Sequence, residues 1–203
     1  MIRLPPHRPG MRIGLYGGSF DPPHAGHRHV AETALRRLDL DRVWWIVTPG
    51  NPLKERHPAS LPERLAAMRA MVRHPAMEIT DIDSAIGSRY TIDTIRYLVR
   101  RCPGVRFVWV MGADSLAGFH RWRDWRAIAR LVPIAVVDRP GYTLGALHSR
   151  MARTFAAKRR PGGAAARVFA SSRAPAWVFL IGRRSNLSST ALRDKSSKVG
   201  SMR

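Results

Sequence analysis

The run Gly17-Gly18-Ser19-Phe20-Asp21-Pro22-Pro23-His24-Ala25-Gly26-His27 constrains this chain more than any other stretch. An apolar segment containing Ile13, Leu15 and Tyr16 precedes it, and a segment with helical spacing follows. Strand, glycine turn and helix in that order gather backbone N–H groups and a partial positive charge at one point. Adjacent glycines let the backbone approach a ligand with no side chain between them. Ser19, His24 and His27 add side-chain donors at the same place. The combination points to a bound phosphate and to chemistry on a nucleotide.

Apolar runs alternate with helix-spaced segments along the chain, the pattern of a parallel α/β sheet. Strands are predicted at 11–16, 42–48, 77–82, 105–111, 132–137 and 176–181. Each is short and nearly all apolar, as strands covered on both faces are. Helices are predicted at 24–38, where Val30, Ala34 and Leu38 share a face, and at 61–73, 91–101 and 124–130. A single longer helix is predicted over 143–157, and the break Lys158-Arg159-Arg160-Pro161-Gly162-Gly163 reads as a loop. The expected fold is α/β, one doubly wound domain with a mostly parallel sheet of about six strands. Residues 1–10 are expected to form a disordered leader, 11–194 the domain and 195–203 a flexible basic tail. The leader lacks the apolar stretch of a signal peptide. No apolar run reaches the roughly 20 residues needed to cross a bilayer.

The formal charge is +21, and of 35 basic residues only Lys54, Lys158, Lys195 and Lys198 are lysine. Nucleic-acid binding is one reading of that balance. The other is a general surface bias that steers small anions. The second is preferred, because the arginines are spread along the chain and not gathered in one tract. A single cysteine, Cys102, excludes an internal disulfide and fits a reducing cytoplasm.

His24 and His27 stand three apart and face the same way at a helix start. A zinc site fits poorly, since no cysteine or carboxylate stands at a suitable spacing. Histidines that only cap the turn are a further reading. Imidazole N–H groups that stabilise charge on a transferring phosphoryl group account better for the pair. A second constellation, Ser188-Ser189-Thr190-Ala191-Leu192-Arg193, follows the last predicted strand. Taken alone, three hydroxyls at a helix start are ordinary caps. Beside the first motif, they and Arg193 suit a phosphate chain.

Together GGSFDPPHAGH and LSSTALR resemble the nucleotidyltransferase superfamily with HxGH and SSTxxR-type signatures. Landmarks between them narrow the resemblance to the bacterial nicotinate mononucleotide adenylyltransferases. These are Asn51-Pro52-Leu53-Lys54, Glu63-Arg64-Leu65, Ser88-Arg89-Tyr90-Thr91-Ile92-Asp93-Thr94 and Gly112-Ala113-Asp114-Ser115-Leu116, followed by Phe119 and Trp122. They occur in family order from about Met11 to Arg193. Leu187 stands where the family usually has isoleucine, and the basic segment 158–167 maps to no family function.

The resemblance implies a Rossmann-like fold and a specific reaction. The phosphate of nicotinate mononucleotide attacks the α-phosphorus of ATP, giving deamido-NAD and pyrophosphate in NAD biosynthesis. Mg²⁺ assists, carried mainly by the ATP phosphates and water. Gly17, Gly18, Ser19 and Phe20 are implied as the phosphate cradle. His24 and His27 are implied as contacts to the ATP phosphates, with His27 at the transition state. Ser188, Ser189, Thr190 and Arg193 are implied to hold the triphosphate and the leaving pyrophosphate, so His24, His27 and Arg193 form the catalytic set. Lys54 is implied as a phosphate contact and Trp122 as a platform for the pyridine ring. Backbone N–H groups of Thr91 and Arg123 are implied to take the nicotinate carboxylate, and Asp114 to contact ribose or fix the pocket. Asp21 is read as fixing the turn and Trp125 as packing; for Arg64 and Arg69 an anion contact is one reading and a surface arginine the preferred one, and no residue is read as a metal ligand. The implied partners are ATP and nicotinate mononucleotide, without membrane or nucleic acid, in a monomer or a homodimer.

Two alternatives accompany this reading. One is a pantetheine-phosphate adenylyltransferase-like enzyme, against which Gly112-Ala113-Asp114, Tyr90-Thr91 and Trp122 argue. The other is a basic nucleic-acid-binding protein that reuses the fold, which would have no need of His27.

Overall fold

Strands that are apolar on both sides pair in parallel when each crossover returns the chain to the same edge of the sheet. The computed structural model describes residues 2–49 and 59–181. Its strands are β1 (Arg12–Gly18), β2 (Arg42–Val47), β3 (Met77–Thr80), β4 (Arg106–Gly112), β5 (Ile134–Val137), β6 (Arg159–Arg160) and β7 (Trp177–Leu180). They form one sheet in the order β3-β2-β1-β4-β5-β7-β6, and every pairing is parallel. The chain works outward from β1 through β2 to β3, then returns to the other side of β1 for β4 and β5. That reversal is the topological switch point, where open α/β sheets bind ligands beyond the carboxyl ends of their strands.

Alternate strand residues feed two cores, one on each face. Ile13, Leu15, Trp44, Ile46 and Trp109 pack on one side with α4 (Thr91–Arg101) and α6 (Trp125–Leu131). Tyr16, Val43, Trp45, Val108 and Val110 pack on the other with α1 (Ala25–Arg37) and Met68 of α2 (Leu61–Met71). Ser60 starts α2 with a capping box: its Oγ accepts the Glu63 N–H while Glu63 takes the Ser60 N–H at 2.9 Å.

Among the described residues the sheet has seven strands where about six were expected. The addition is β6, in the segment read as a loop, whose two arginines lie beside Trp177 and Val178 of β7. Arg159 sets its guanidinium 5.3 Å from the centre of the Trp177 ring. Exposed arginines suit the outer edge of a sheet, where charge opposes pairing with another chain. The predicted helix over 143–157 is divided into α7 (Thr143–Leu147), α8 (Arg150–Thr154) and a 3-10 turn at Ala156–Lys158. Ser149 makes the division, leaving helical geometry and accepting the Ala152 N–H on its Oγ at 3.2 Å. Apolar spacing continues across the break, so periodicity merges the pieces.

Not expected were α3 (Ile82–Ala85), α5 (Ala113–Gly118) and a 3-10 turn at Phe119–Arg121, each with too few residues for a period, and the eight-residue 3-10 segment Ala164–Ser171. The last continues the basic segment and lays Ala166, Phe169 and Ala170 on the same face as α1. Residues 2–10, expected as a disordered leader, form no helix or strand and lie against the core. Leu4 packs there, His7 meets Trp44 at 5.8 Å, and the Gly10 N–H donates to Gly104 O at 2.8 Å. No helix among the described residues is long and apolar enough to cross a membrane.

Candidate active site

β1 ends in the glycine turn at the switch point. A Cβ on Gly17 would lie 2.6 Å from the Trp109 ring, and one on Gly18 would lie 3.1 Å from the Phe20 ring. Close approach therefore requires glycine at 17, while at 18 a side chain would press on the Phe20 ring by a few tenths of an ångström. Phe20 has φ +46°, a left-handed conformation that costs a bulky residue roughly 1–2 kcal/mol. Packing holds it there. Its buried ring lies 5.4 Å from Tyr16, 5.3 Å from Trp45 and 5.1 Å from His27.

His24 is the N-cap of α1, and its ring stacks on that of His27 at 3.8 Å. His24 Nδ1 accepts the Gly26 N–H at 3.0 Å, and His27 Nδ1 accepts the His24 N–H at 3.3 Å. A neutral imidazole that accepts on Nδ1 carries its proton on Nε2. The capping reading and the donor reading are thus compatible: one nitrogen of each ring builds the turn, and the other carries the proton.

Arg64, expected on the surface, is 2% exposed. It lies in the first turn of α2, with its side chain directed into the protein. Nε donates to Ala59 O at 2.8 Å, Nη1 to Ser19 O and Thr48 O at 2.7 Å each, and Nη2 to Pro49 O at 3.1 Å. Burial lowers its pKa, and the charge of Asp21 opposes that shift. Arg69 is exposed, as expected.

Beyond β4 and β5 lies a pair of which the sequence reading anticipated only half. Asp114, in the first turn of α5, accepts on Oδ2 from Arg139 Nη1 at 2.8 Å. Arg139 follows β5 and is 7% exposed. Its one legible signal was position, just after a predicted strand. Asp114 Oδ1 is buried and has no hydrogen-bond partner among the described residues. Tyr16 stands close enough to feel both charges. Burial pushes its phenol far above the usual range, Asp114 adds to the shift, and Arg139 opposes it.

The region expected to hold the pyridine ring is built differently. Thr91 begins α4, and Tyr90 before it provides no side-chain cap. Ser88 Oγ accepts the Tyr90 N–H at 3.1 Å and donates to Asp93 Oδ2 at 2.9 Å. Beneath them Thr94 Oγ1 donates to Asp83 Oδ1 at 2.5 Å, and both residues are buried. Burial raises the Asp83 carboxyl to about 6, with the Thr94 bond opposing. Arg123 is exposed and lies 4.7 Å from the centre of the Tyr90 ring. Trp122 is half-buried, 6.1 Å from Trp109 and 5.2 Å from Phe119, while Trp125 is in the core. Trp109 therefore touches both regions, with the glycine turn at one end of its ring and Trp122 beside it. Lys54, Ser188, Ser189, Thr190 and Arg193 lie outside the described residues.

The chain belongs to the cytidylyltransferase-like family, which it matches over residues 15–195. A protein of Methylorubrum extorquens named "Probable nicotinate-nucleotide adenylyltransferase" is 60% identical over 91% of this chain and 100% of its own length. One of the same name from Rhizobium meliloti is 56% identical over 92% of this chain and 100% of its own. These relatives place the chain among the nicotinate-nucleotide adenylyltransferases. Among solved structures, Plasmodium falciparum nicotinic acid mononucleotide adenylyltransferase complexed with NaAD shares the fold. Its TM-score is 0.70 at 14% identity, covering 93% of this chain and 83% of that one.

Proposed function

We propose that this protein transfers the adenylyl group of ATP to nicotinate mononucleotide, a step of NAD biosynthesis. An oxygen of the mononucleotide phosphate forms a bond to the α-phosphorus of ATP. The bond from that phosphorus to the bridging oxygen of the β-phosphate breaks, and pyrophosphate leaves with deamido-NAD as the other product. A phosphate monoester is already a nucleophile near neutral pH, so the protein has to position and stabilise charge without removing a proton. The single observation that carries this reading is the glycine turn at the switch point, with two histidines whose Nδ1 atoms are engaged by backbone N–H groups. Close relatives bearing the adenylyltransferase name support the choice of reaction.

In this reading Gly17, Gly18, Ser19 and Phe20 cradle phosphate, and His24 and His27 donate from Nε2 to phosphate oxygens. His27 acts at the transition state with Arg193, while Ser188, Ser189 and Thr190 hold the triphosphate and Lys54 adds a contact. Asp114 Oδ1, a buried acceptor, takes a ribose hydroxyl, and Arg139 fixes its partner oxygen. Trp122 supports the pyridine ring, and the N–H groups of Thr91 and Arg123 receive its carboxylate, which favours the acid over the amide. Beside N–H groups and imidazoles the turn carries a single carboxylate, Asp21, which is read as fixing it, whereas magnesium prefers a shell of several oxygens. Mg²⁺ therefore rides on the phosphates and water, where it neutralises charge. The catalytic domain runs from 11 to 194, and a buried free Cys102 suits a cytoplasmic setting.

The test is turnover. Pyrophosphate release from ATP should require nicotinate mononucleotide and be slower with nicotinamide mononucleotide under identical conditions. Turnover with phosphopantetheine and none with either mononucleotide would reject the assignment.

A further inference from the structure

Arg64 collects four main-chain carbonyls from three separate stretches of chain, and two of those stretches border the glycine turn. Ser19 O and Thr48 O share its Nη1, Pro49 O takes Nη2, and Ala59 O takes Nε. Among the described residues no carboxylate forms an ion pair with it, so its bonds are spent on backbone. Thr48 adds a further tie, because its N–H donates to Gly18 O at 3.0 Å.

These bonds have a geometric consequence. In a trans peptide the C=O and the N–H that follows it point in opposite directions. Thr48 draws the Gly18 carbonyl toward β2, which turns the Ser19 N–H away from that side. Arg64 draws the Ser19 carbonyl toward α2, which turns the Phe20 N–H away from that side. Consecutive N–H groups presented around a left-handed residue form an anion-binding concavity, and Phe20 is that residue, at φ +46°. A buried guanidinium also places a fixed positive charge behind the concavity.

We propose that Arg64 is a positioning residue for the triphosphate: it sets the peptide planes of the Gly18–Phe20 turn and the exit of β2 so that the turn grips ATP. It touches no substrate. The proposal rests on the reading that ATP occupies this turn, and the experiment separates the two. Binding of the non-hydrolysable analogue α,β-methylene-ATP is measured by calorimetry without the second substrate, on the parent protein, R64K and R64M. KM for both substrates and Tm are measured in parallel.

R64K keeps the charge but concentrates its donors on one nitrogen, so it cannot span the four carbonyls. It should weaken the analogue by roughly 10- to 100-fold, the loss typical of hydrogen bonds made by a charged group. KM for nicotinate mononucleotide should change by less than about twofold in the same variant, because none of the carbonyls that Arg64 collects belongs to the start of α4 or the Trp122 segment, where that substrate is proposed to sit. R64M should lose more; if it fails to fold, R64K decides. R64K binding the analogue within about twofold of the parent would overturn the proposal. So would an equal loss for both substrates that tracks a fall in Tm, since that marks general destabilisation. A parent protein that does not bind the analogue would remove the functional reading and this proposal with it.

Discussion

The glycine turn, against the Trp109 ring, and the start of α4, met by Arg123 beside Trp122, are held by opposite means. The turn is fixed almost wholly through main-chain atoms: carbonyls collected by Arg64 and Thr48, and N–H groups received by two imidazoles. The start of α4 is fixed by side chains bonding to one another and to nearby backbone: Ser88 with Asp93, Thr94 with Asp83, and Arg123 against Tyr90. Main-chain groups offer the same N–H and C=O chemistry whichever side chains flank them, so they suit a group that every turnover shares, such as a triphosphate. Side-chain networks can be altered one residue at a time, so they suit the part of a site that distinguishes one partner from another.

The largest effect that could break this comparison is at His27. His27→Ala should lower kcat by at least about 100-fold, as loss of a transition-state donor does. Near-normal kcat would leave His27 as a cap and nothing more. Next comes the backbone's intolerance of bulk. Gly17→Ala pushes a methyl into the Trp109 ring and should cost about 1–3 kcal/mol in urea unfolding. An unchanged midpoint would mean that the turn is more yielding than its contacts imply.

The α4 side predicts smaller, separable effects. In the fold Asp83 ionises at about 6, and in the unfolded chain near pH 4. Between those values the native state binds more protons than the unfolded one, so the Asp83 contribution to stability is fully present below pH 4 and falls as pH rises through 6. Asp83→Asn should remove that slope. Relative to the parent, the variant should gain on the order of 2–3 kcal/mol between pH 4 and 7. Parallel pH–stability curves would show that Asp83 does not titrate in that window. The smallest expected effect is at Trp122. Trp122→Ala should raise KM for nicotinate mononucleotide by up to about tenfold and leave KM for ATP unchanged. A change in both would place Trp122 in the shared core around Trp109.

The same division sets how much of the fold and site is legible in the sequence. Buried strands and the glycine turn were legible because apolar runs, adjacent glycines and a following helix are local patterns, and the strands fell close to where they were expected. Arg64 was not legible. A lone arginine on a helix looks the same whether it faces water or the interior, and the carbonyls it meets at Ser19 and Thr48 lie 45 and 16 residues away. Arg139 was hidden in an Arg-Pro-Gly run that reads as a plain turn, and its bond to Asp114 spans 25 residues. Asp83 sits among polar neighbours that suggest exposure. The Nδ1 bonds of His24 and His27 depend on an extended His24 backbone, at φ −152°, which residue type alone does not dictate.

Helix α1 joins two things that are far apart in the chain. Its first turn carries His27, with His24 as the cap before it, and its last residue, Arg37, donates to Ile181 O just beyond β7 and to Gly162 O. A rod of 13 residues, about 20 Å long, thus acts as a ruler between the imidazoles and the point where the last strand ends. Tilting or lengthening that rod would move both marks at once, so the spacing between them is inherited from a single helix.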